Sequence, residues 1–114
     1  MEGVEILNAS GEGYQPQVHF EAWRVAMIRF AERFDRVNFY RLERHHLTDE
    51  VFVLLEGKAV LIIGEECEEC RMEAGRIYNV KKDVWHHILL SRDASVLVVE
   101  NDDTGPENTE YHTL

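Results

Sequence analysis

The sequence has few basic residues and no long apolar run. Its 12 lysines and arginines are outnumbered by 22 aspartates and glutamates, which gives a formal net charge of −10 at pH 7. Such a charge repels phosphate backbones and anionic lipid, so we expect neither nucleic acid nor a membrane as a partner. No apolar run approaches the ~20 residues of a membrane-spanning helix. The chain also lacks a basic N-terminal segment followed by an apolar core. These absences predict a cytoplasmic protein without a signal peptide.

Cysteine is also scarce, since the chain contains only Cys67 and Cys70. One Cys-x-x-Cys pair cannot supply the four ligands of a structural zinc site. The pair does not lie between a strand and a helix, as it does in thioredoxin-like redox proteins. We interpret the two residues as reduced thiols in an acidic hairpin loop over residues 65–71, with an intersubunit or redox role as the alternative.

Short strand patterns separated by turn residues dominate the second half of the chain. Apolar and β-branched runs end at glycine or at charged turns, which predicts strands over residues 51–55, 58–63, 77–80, 84–90 and 95–100. Strands at this spacing are typical of an all-β sandwich or barrel. We expect one domain over residues 1–114, with a motif-bearing core at about 36–100, a loose N-terminal arm at 1–17 and a polar C-terminal tail at 101–114.

Two runs near the N-terminal end are harder to assign. Residues 23–30 and 36–46 both show partial alternation of apolar and polar side chains, and a polar connection separates them. The alternation favours a β-hairpin over one long helix. The run at 51–55, with Glu56 and Gly57 after it, similarly predicts that residues 58–63 form its return strand.

Two segments combine histidine, carboxylate and glycine at characteristic spacings. Glu50 is followed by six residues and then Gly57, and Gly75 precedes His86 by eleven positions. This arrangement resembles the cupin superfamily, whose first motif is His-x-His, three or four residues, Glu, six residues and Gly. Its second motif is Gly, five residues, Pro-x-Gly, two residues and His. The resemblance implies a double-stranded β-helix, a small jelly-roll barrel.

The second motif departs from the cupin pattern in its turn. Lys81 and Asp83 stand where proline and glycine are expected. Aspartate tolerates the left-handed backbone conformation that glycine often supplies, so we expect the turn to survive the change.

The first motif lacks one of its two histidines in either possible register. A spacing of four residues before Glu50 aligns His45 with the second histidine and Glu43 with the first. A spacing of three aligns His46 and Arg44 instead. Strand periodicity leaves both open, and we favour the His45 register because residues 48–52 resemble a common cupin sequence in that register.

The resemblance implies a metal site in the mouth of the barrel. The candidate ligands, in order of preference, are His45, Glu50, His86 and Glu43, followed by His46 and His87. Two imidazoles with carboxylates suit a divalent ion such as Zn, Mn, Fe or Ni, and a cavity without metal is the alternative. Glu50 is also the candidate catalytic residue, as a ligand or a general base.

Four further residues are candidates for the wall of the substrate pocket: Phe52, Tyr40, Trp85 and Arg41. The aromatic rings would stack on a ligand, and Arg41 would bind a carboxylate through its guanidinium. The alternatives are plain core packing for the aromatic residues and a solvent-facing position for the arginine.

Three functions are compatible with these features. The first is a metal-dependent enzyme of isomerase, lyase or dioxygenase type that acts on a small polar metabolite, similar to the ureidoglycolate-lyase-like and sugar-isomerase-like cupins. The second is a non-catalytic cupin that binds a small molecule or sugar without metal. The third, a structural protein, is disfavoured because burying unpaired carboxylates is costly. By analogy with cupins we also expect a homodimer that covers exposed sheet edges.

Overall fold

The computed structural model describes all 114 residues, and its regular structure is almost entirely β-strand. The ten strands are β1 Gly13–Phe20, β2 Trp23–Arg29, β3 Arg41–His45, β4 Glu50–Glu56, β5 Ala59–Ile63, β6 Glu68–Arg71, β7 Tyr78–Val80, β8 His86–Leu90, β9 Ser95–Asn101 and β10 Thr109–Thr113. Three short 3-10 turns lie at Glu32–Phe34, Arg36–Asn38 and Pro106–Asn108. No helix is long and apolar enough to span a bilayer. The predicted all-β class is confirmed.

The strands form two five-stranded antiparallel sheets. The first sheet has the order β1-β2-β9-β4-β7 and the second has the order β10-β3-β8-β5-β6. Alternate residues along each strand point between the sheets, and the most completely buried side chains of the resulting core include Phe52, Leu61, Val96 and Val98. This jelly-roll barrel is the architecture that the sequence motifs predicted.

Both predicted hairpins are wrong. Strand β2 lies in the first sheet between β1 and β9, whereas β3 lies in the second sheet between β10 and β8. Residues 36–38 form a 3-10 turn instead of the beginning of a strand. Strands β4 and β5 also belong to different sheets, because β4 pairs with β7 and β9. Alternation shows which residues share a face, but a connection that changes sheets resembles a hairpin loop in sequence.

The predicted ends and acidic loop also need correction. Residues 109–113 form β10, which pairs along the whole of β3, so the predicted polar tail contributes an edge strand. The N-terminal arm extends only to residue 12, because β1 begins at Gly13. Half of the predicted acidic loop is strand β6, which pairs with β5. These polar segments are ordered by hydrogen bonds to a neighbouring strand. The composition of a segment does not show whether such a neighbour exists, so the strands were not predicted.

Two turns hold the site-bearing strands in place. Asp83 adopts a φ of +66°, which confirms the expected left-handed turn before β8. Its backbone N–H donates to the His45 carbonyl at 2.8 Å. Gly57 adopts a φ of +73° after β4, and a Cβ there would lie 2.7 Å from the Ala94 Cα atom. The second turn therefore requires glycine for both conformation and space.

Candidate functional site

Two histidines converge on one carboxylate oxygen at the mouth of the barrel. The Nε2 atoms of His45 and His86 lie 3.0 and 3.1 Å from Oε1 of Glu50. His45 ends β3, Glu50 begins β4 and His86 begins β8, so both sheets contribute. All three side chains are buried. Glu43 is the cross-strand partner of His86, and its Oε1 lies 3.9 Å from each Nε2.

The second ring nitrogen of each histidine is held by a neighbour. Nδ1 of His86 lies 2.9 Å from the Val84 carbonyl, and Nδ1 of His45 lies 2.9 Å from the Thr109 hydroxyl. A carbonyl can only accept, so Nδ1 of His86 carries its hydrogen and donates it. In a neutral His86 the lone pair of Nε2 therefore faces the carboxylate of Glu50. Two lone pairs repel each other, so this arrangement requires a proton or a cation between them.

The pKa values of His45, His86 and Glu50 reflect the contact between the two rings and the carboxylate. Burial disfavours the charged form of His86, but the hydrogen bond and charge of Glu50 outweigh it and raise the pKa of His86 to about 9. The pKa of His45 is raised for the same reason, against the effect of burial. Burial opposes ionisation of Glu50, yet its hydrogen bonds to the two rings hold its pKa well below the usual range. Without a metal, the cluster is a buried ion pair.

Glu100 is a further buried carboxylate that sequence analysis missed. Its Oε2 accepts a hydrogen bond from the Tyr14 hydroxyl and another from Nη2 of Arg24 at 3.2 Å, while Oε1 has no partner. Burial, followed by the charge of Glu50, raises the pKa of Glu100. One oxygen of Glu100 lies within 4.8 Å of ligand atoms of His45 and Glu50.

The sequence contains a signal for Glu100. In the predicted strand over residues 95–100, Val96, Val98 and Glu100 alternate on one face. A carboxylate in phase with buried valines indicates a polar group directed into the interior.

These donors fit a divalent metal ion. Ligand atoms of Glu43, His45 and His86 lie within 4.8 Å of one another, as do those of His45, Glu50 and Glu100. Imidazole nitrogen and carboxylate oxygen suit Zn, Mn, Fe and Ni. A cation would supply a partner for the free Oε1 of Glu100 or for the lone pair of a neutral His86.

Comparison with solved structures decides the fold family. An RmlC-like cupin with a double-stranded β-helix fold from Methanocaldococcus jannaschii is similar with a TM-score of 0.64 and 16% identity, over 89% of this chain and 91% of that one. A cupin-2 domain protein from Shewanella frigidimarina has a TM-score of 0.61 and 17% identity, over 81% and 84%. The protein has the cupin fold. No protein-family model and no curated protein matches its sequence.

Another similar structure is that of an enzyme. Pac13, described as a unique nucleoside dehydratase, has a TM-score of 0.63 and 10% identity, over 86% of this chain and 73% of that one. Variants of Streptomyces Pac13 have been solved with uridine. At these identities the likeness shows the shared fold, and the chemistry of this protein has to be argued from its own residues.

The two lower-ranked histidines lie outside the cluster. Nδ1 of His46 is 2.7 Å from Oδ1 of Asp83 at the exposed surface, so His46 braces the turn before β8. His87 follows His86 and therefore points to the opposite face of β8, where its ring stacks on Phe39 with a centroid distance of 4.8 Å. Neither residue belongs to a group of candidate metal ligands.

The cluster opens into a cavity of about 450 Å³, which is in the size range of small-molecule sites. Phe52, Tyr40 and Arg41 line this cavity. The prediction for Trp85 is wrong, because its ring packs outside the barrel, 4.3 Å below the guanidinium of Arg44. Trp85 precedes the inward-pointing His86 and so faces away from it.

Proposed function

We propose that this cupin binds a divalent metal ion and is an enzyme of lyase, isomerase or dioxygenase type that acts on a small polar metabolite. The observation that carries the proposal is the convergence of the His45 and His86 Nε2 atoms on Oε1 of Glu50, at 3.0 and 3.1 Å. In both histidines Nδ1 already has a hydrogen-bond partner and Nε2 faces the site, which is typical of histidine metal ligands.

The residues of the cluster would hold the ion, and their neighbours would orient them. His45, His86 and Glu50 would hold the ion, with Glu43 and Glu100 as further oxygen donors. A bound ion would polarise a carbonyl or hydroxyl oxygen of the metabolite. The hydroxyl of Tyr14 and the guanidinium of Arg24 bind Oε2 of Glu100 and keep that side chain oriented, so its Oε1, which has no hydrogen-bond partner, would be the oxygen available to the ion.

A structurally similar enzyme supports the proposed reaction class. Pac13 is described as a dehydratase, and dehydratases belong to the lyases. A barrel of this size can therefore carry elimination chemistry on a small polar molecule, and the carboxylates around the cavity of this chain supply the groups that proton transfer requires.

The test is the metal content of untagged protein, measured by elemental mass spectrometry in matched variants. We expect about one ion per chain, lost in His86→Ala and His45→Ala because each removes a nitrogen ligand. His46→Ala is the control, because it removes the neighbouring imidazole outside the cluster. Equal metal content in all four proteins, or a wild type that refuses added Zn, Mn, Fe and Ni, would contradict the proposal.

A non-catalytic small-molecule-binding cupin is the second candidate. The observation that favours it is that Glu50 and a protonated His86 satisfy each other without metal, since the hydrogen bond and charge of Glu50 outweigh the effect of burial on His86. If the metal test fails, native mass spectrometry of the purified protein should detect a small molecule retained in the cavity.

A further inference from the structure

Two arginines in the cavity wall have no acidic partner. Arg33 and Arg41 both line the cavity. The arginines at positions 24, 36, 44 and 76 each form an ion pair with a nearby carboxylate. Arg33 and Arg41 form no such pair and donate no side-chain hydrogen bond, although the chain carries 22 acidic residues. Their guanidinium N–H groups are therefore free to bind a ligand.

Aromatic rings hold the two guanidinium groups without using their N–H donors. The Arg41 guanidinium lies 4.0 Å from the Tyr111 ring centroid and 5.5 Å from that of Tyr40. The Arg33 guanidinium lies 4.3 Å from the Phe34 ring. Stacking of this kind orients the planar group and leaves its edge available for two parallel hydrogen bonds to an oxyanion.

Arg41 lies on the same wall of the cavity as the metal-ligand candidates. Arg41, Glu43 and His45 occupy alternate positions of β3 and so share one face of the strand. At ~3.3 Å per residue, Arg41 is ~13 Å along the strand from His45. A small metabolite held by the Arg41 guanidinium would extend along this face toward His45. It would also approach His86, which lies opposite Glu43 on the neighbouring strand.

The two unpaired arginines share one cavity wall with the cluster of His45, His86 and Glu50. The carboxylates of Glu43, Glu50 and Glu100 are grouped with His45 or His86 as candidate metal ligands. The cavity therefore combines two guanidinium groups without a counterion and a cluster of carboxylates and imidazoles.

We propose that the cavity takes a small metabolite with an anionic group, a carboxylate or a phosphate, and that Arg41 and Arg33 bind this group. The remainder of the metabolite, a hydroxyl or carbonyl carbon, reaches His45, His86 and Glu50. The placement of the remainder of the metabolite at His45, His86 and Glu50 rests on the proposed function. The anion contacts with Arg41 and Arg33 do not, because they need no metal ion.

The test uses acetate and inorganic phosphate as probes, titrated into the full-length protein at constant ionic strength with chloride. Binding is followed by NMR, through the side-chain Nε–Hε signals of arginine. We expect saturable binding of at least one probe and a loss of affinity of about tenfold or more in Arg41→Gln, because charge-assisted hydrogen bonds are removed. Arg71→Gln is the matched control, since Arg71 is an exposed arginine outside the cavity.

Further variants separate the possible failures. Arg41→Lys keeps the charge but loses the planar fork, and we expect affinity between those of the wild type and Arg41→Gln. A probe bound to a metal ion would lose its site in His86→Ala and keep it in Arg41→Gln, whereas a probe on the arginines would show the reverse. Binding of neither probe, or equal affinity in Arg41→Gln and Arg71→Gln, overturns the anion site and leaves the metal proposal standing.

Discussion

Replacing Glu50 by glutamine should collapse the raised pKa of His86 in the metal-free protein. In the wild type, hydrogen bonding and charge from Glu50 overcome burial and raise the pKa of His86 to about 9. Glutamine removes the negative charge, and its amide can donate to the Nε2 lone pair of a neutral ring. Burial then becomes the dominant influence, and burial favours the neutral imidazole.

The magnitude follows from the two pKa values. A fall from about 9 to the ordinary 6.5 or below corresponds to about 3 kcal/mol of lost interaction with the imidazolium. Because the folded pKa lies above the unfolded one, the His86 contribution to stability is fully present below pH 6.5 and disappears as the pH rises through about 9. The Glu50 contribution has the opposite sense, because its lowered pKa makes it disappear as the pH falls.

The assay is an NMR titration of the histidine ring signals after removal of metal by a chelator. The control variant is Glu56→Gln, which removes an exposed carboxylate at the far end of the same strand. We expect Glu50→Gln to lower the pKa of His86 and Glu56→Gln to leave it unchanged. A His86 pKa that stays near 9 in Glu50→Gln would refute the assignment of Glu50 as the partner of His86.

Two further predictions concern the fold and the assembly. Gly57→Ala should destabilise the protein by about 1–3 kcal/mol in urea unfolding, since alanine would adopt a strained positive φ and approach Ala94 at 2.7 Å; unchanged stability would show that the turn relaxes. We also predict a homodimer, so light scattering should give twice the 13.3 kDa chain mass; a mass of one chain across a concentration series would contradict it.

The candidate site was predictable where it depended on spacing along the chain. Glu50 and His86 carry the spacing of the two cupin motifs, and the structure brings both residues into the cluster. Strand periodicity left the choice between His45 and His46 open, because alternation assigns neighbours to opposite faces without saying which face is inside, and the resemblance to a cupin sequence favoured His45. Pairing of β3 with β8 and β10 directs His45 inward and leaves His46 at the surface.

Residues far apart in sequence account for most of what was missed. Glu100 approaches His45 and Glu50 only because β9 lies beside β4 in the first sheet. Strand β10 supplies Tyr111, which stacks on Arg41, although its polar composition predicted a loose tail. Local patterns contain no record of which distant strands become neighbours, so these contacts could not be derived from spacing.

The sequence by itself determined the β character of the chain, its division into short strands and the positions of the motif carboxylate and histidine. Side-chain alternation and turn residues are local properties, and the left-handed Asp83 is an example of a local preference that survived folding. The tertiary structure alone decided which strands share a sheet and which histidine of each pair points inward. It also brought the partnerless oxygen of Glu100 toward the site and left Arg33 and Arg41 without acidic partners. These outcomes depend on long-range strand pairing, which sets the absolute orientation of every side chain.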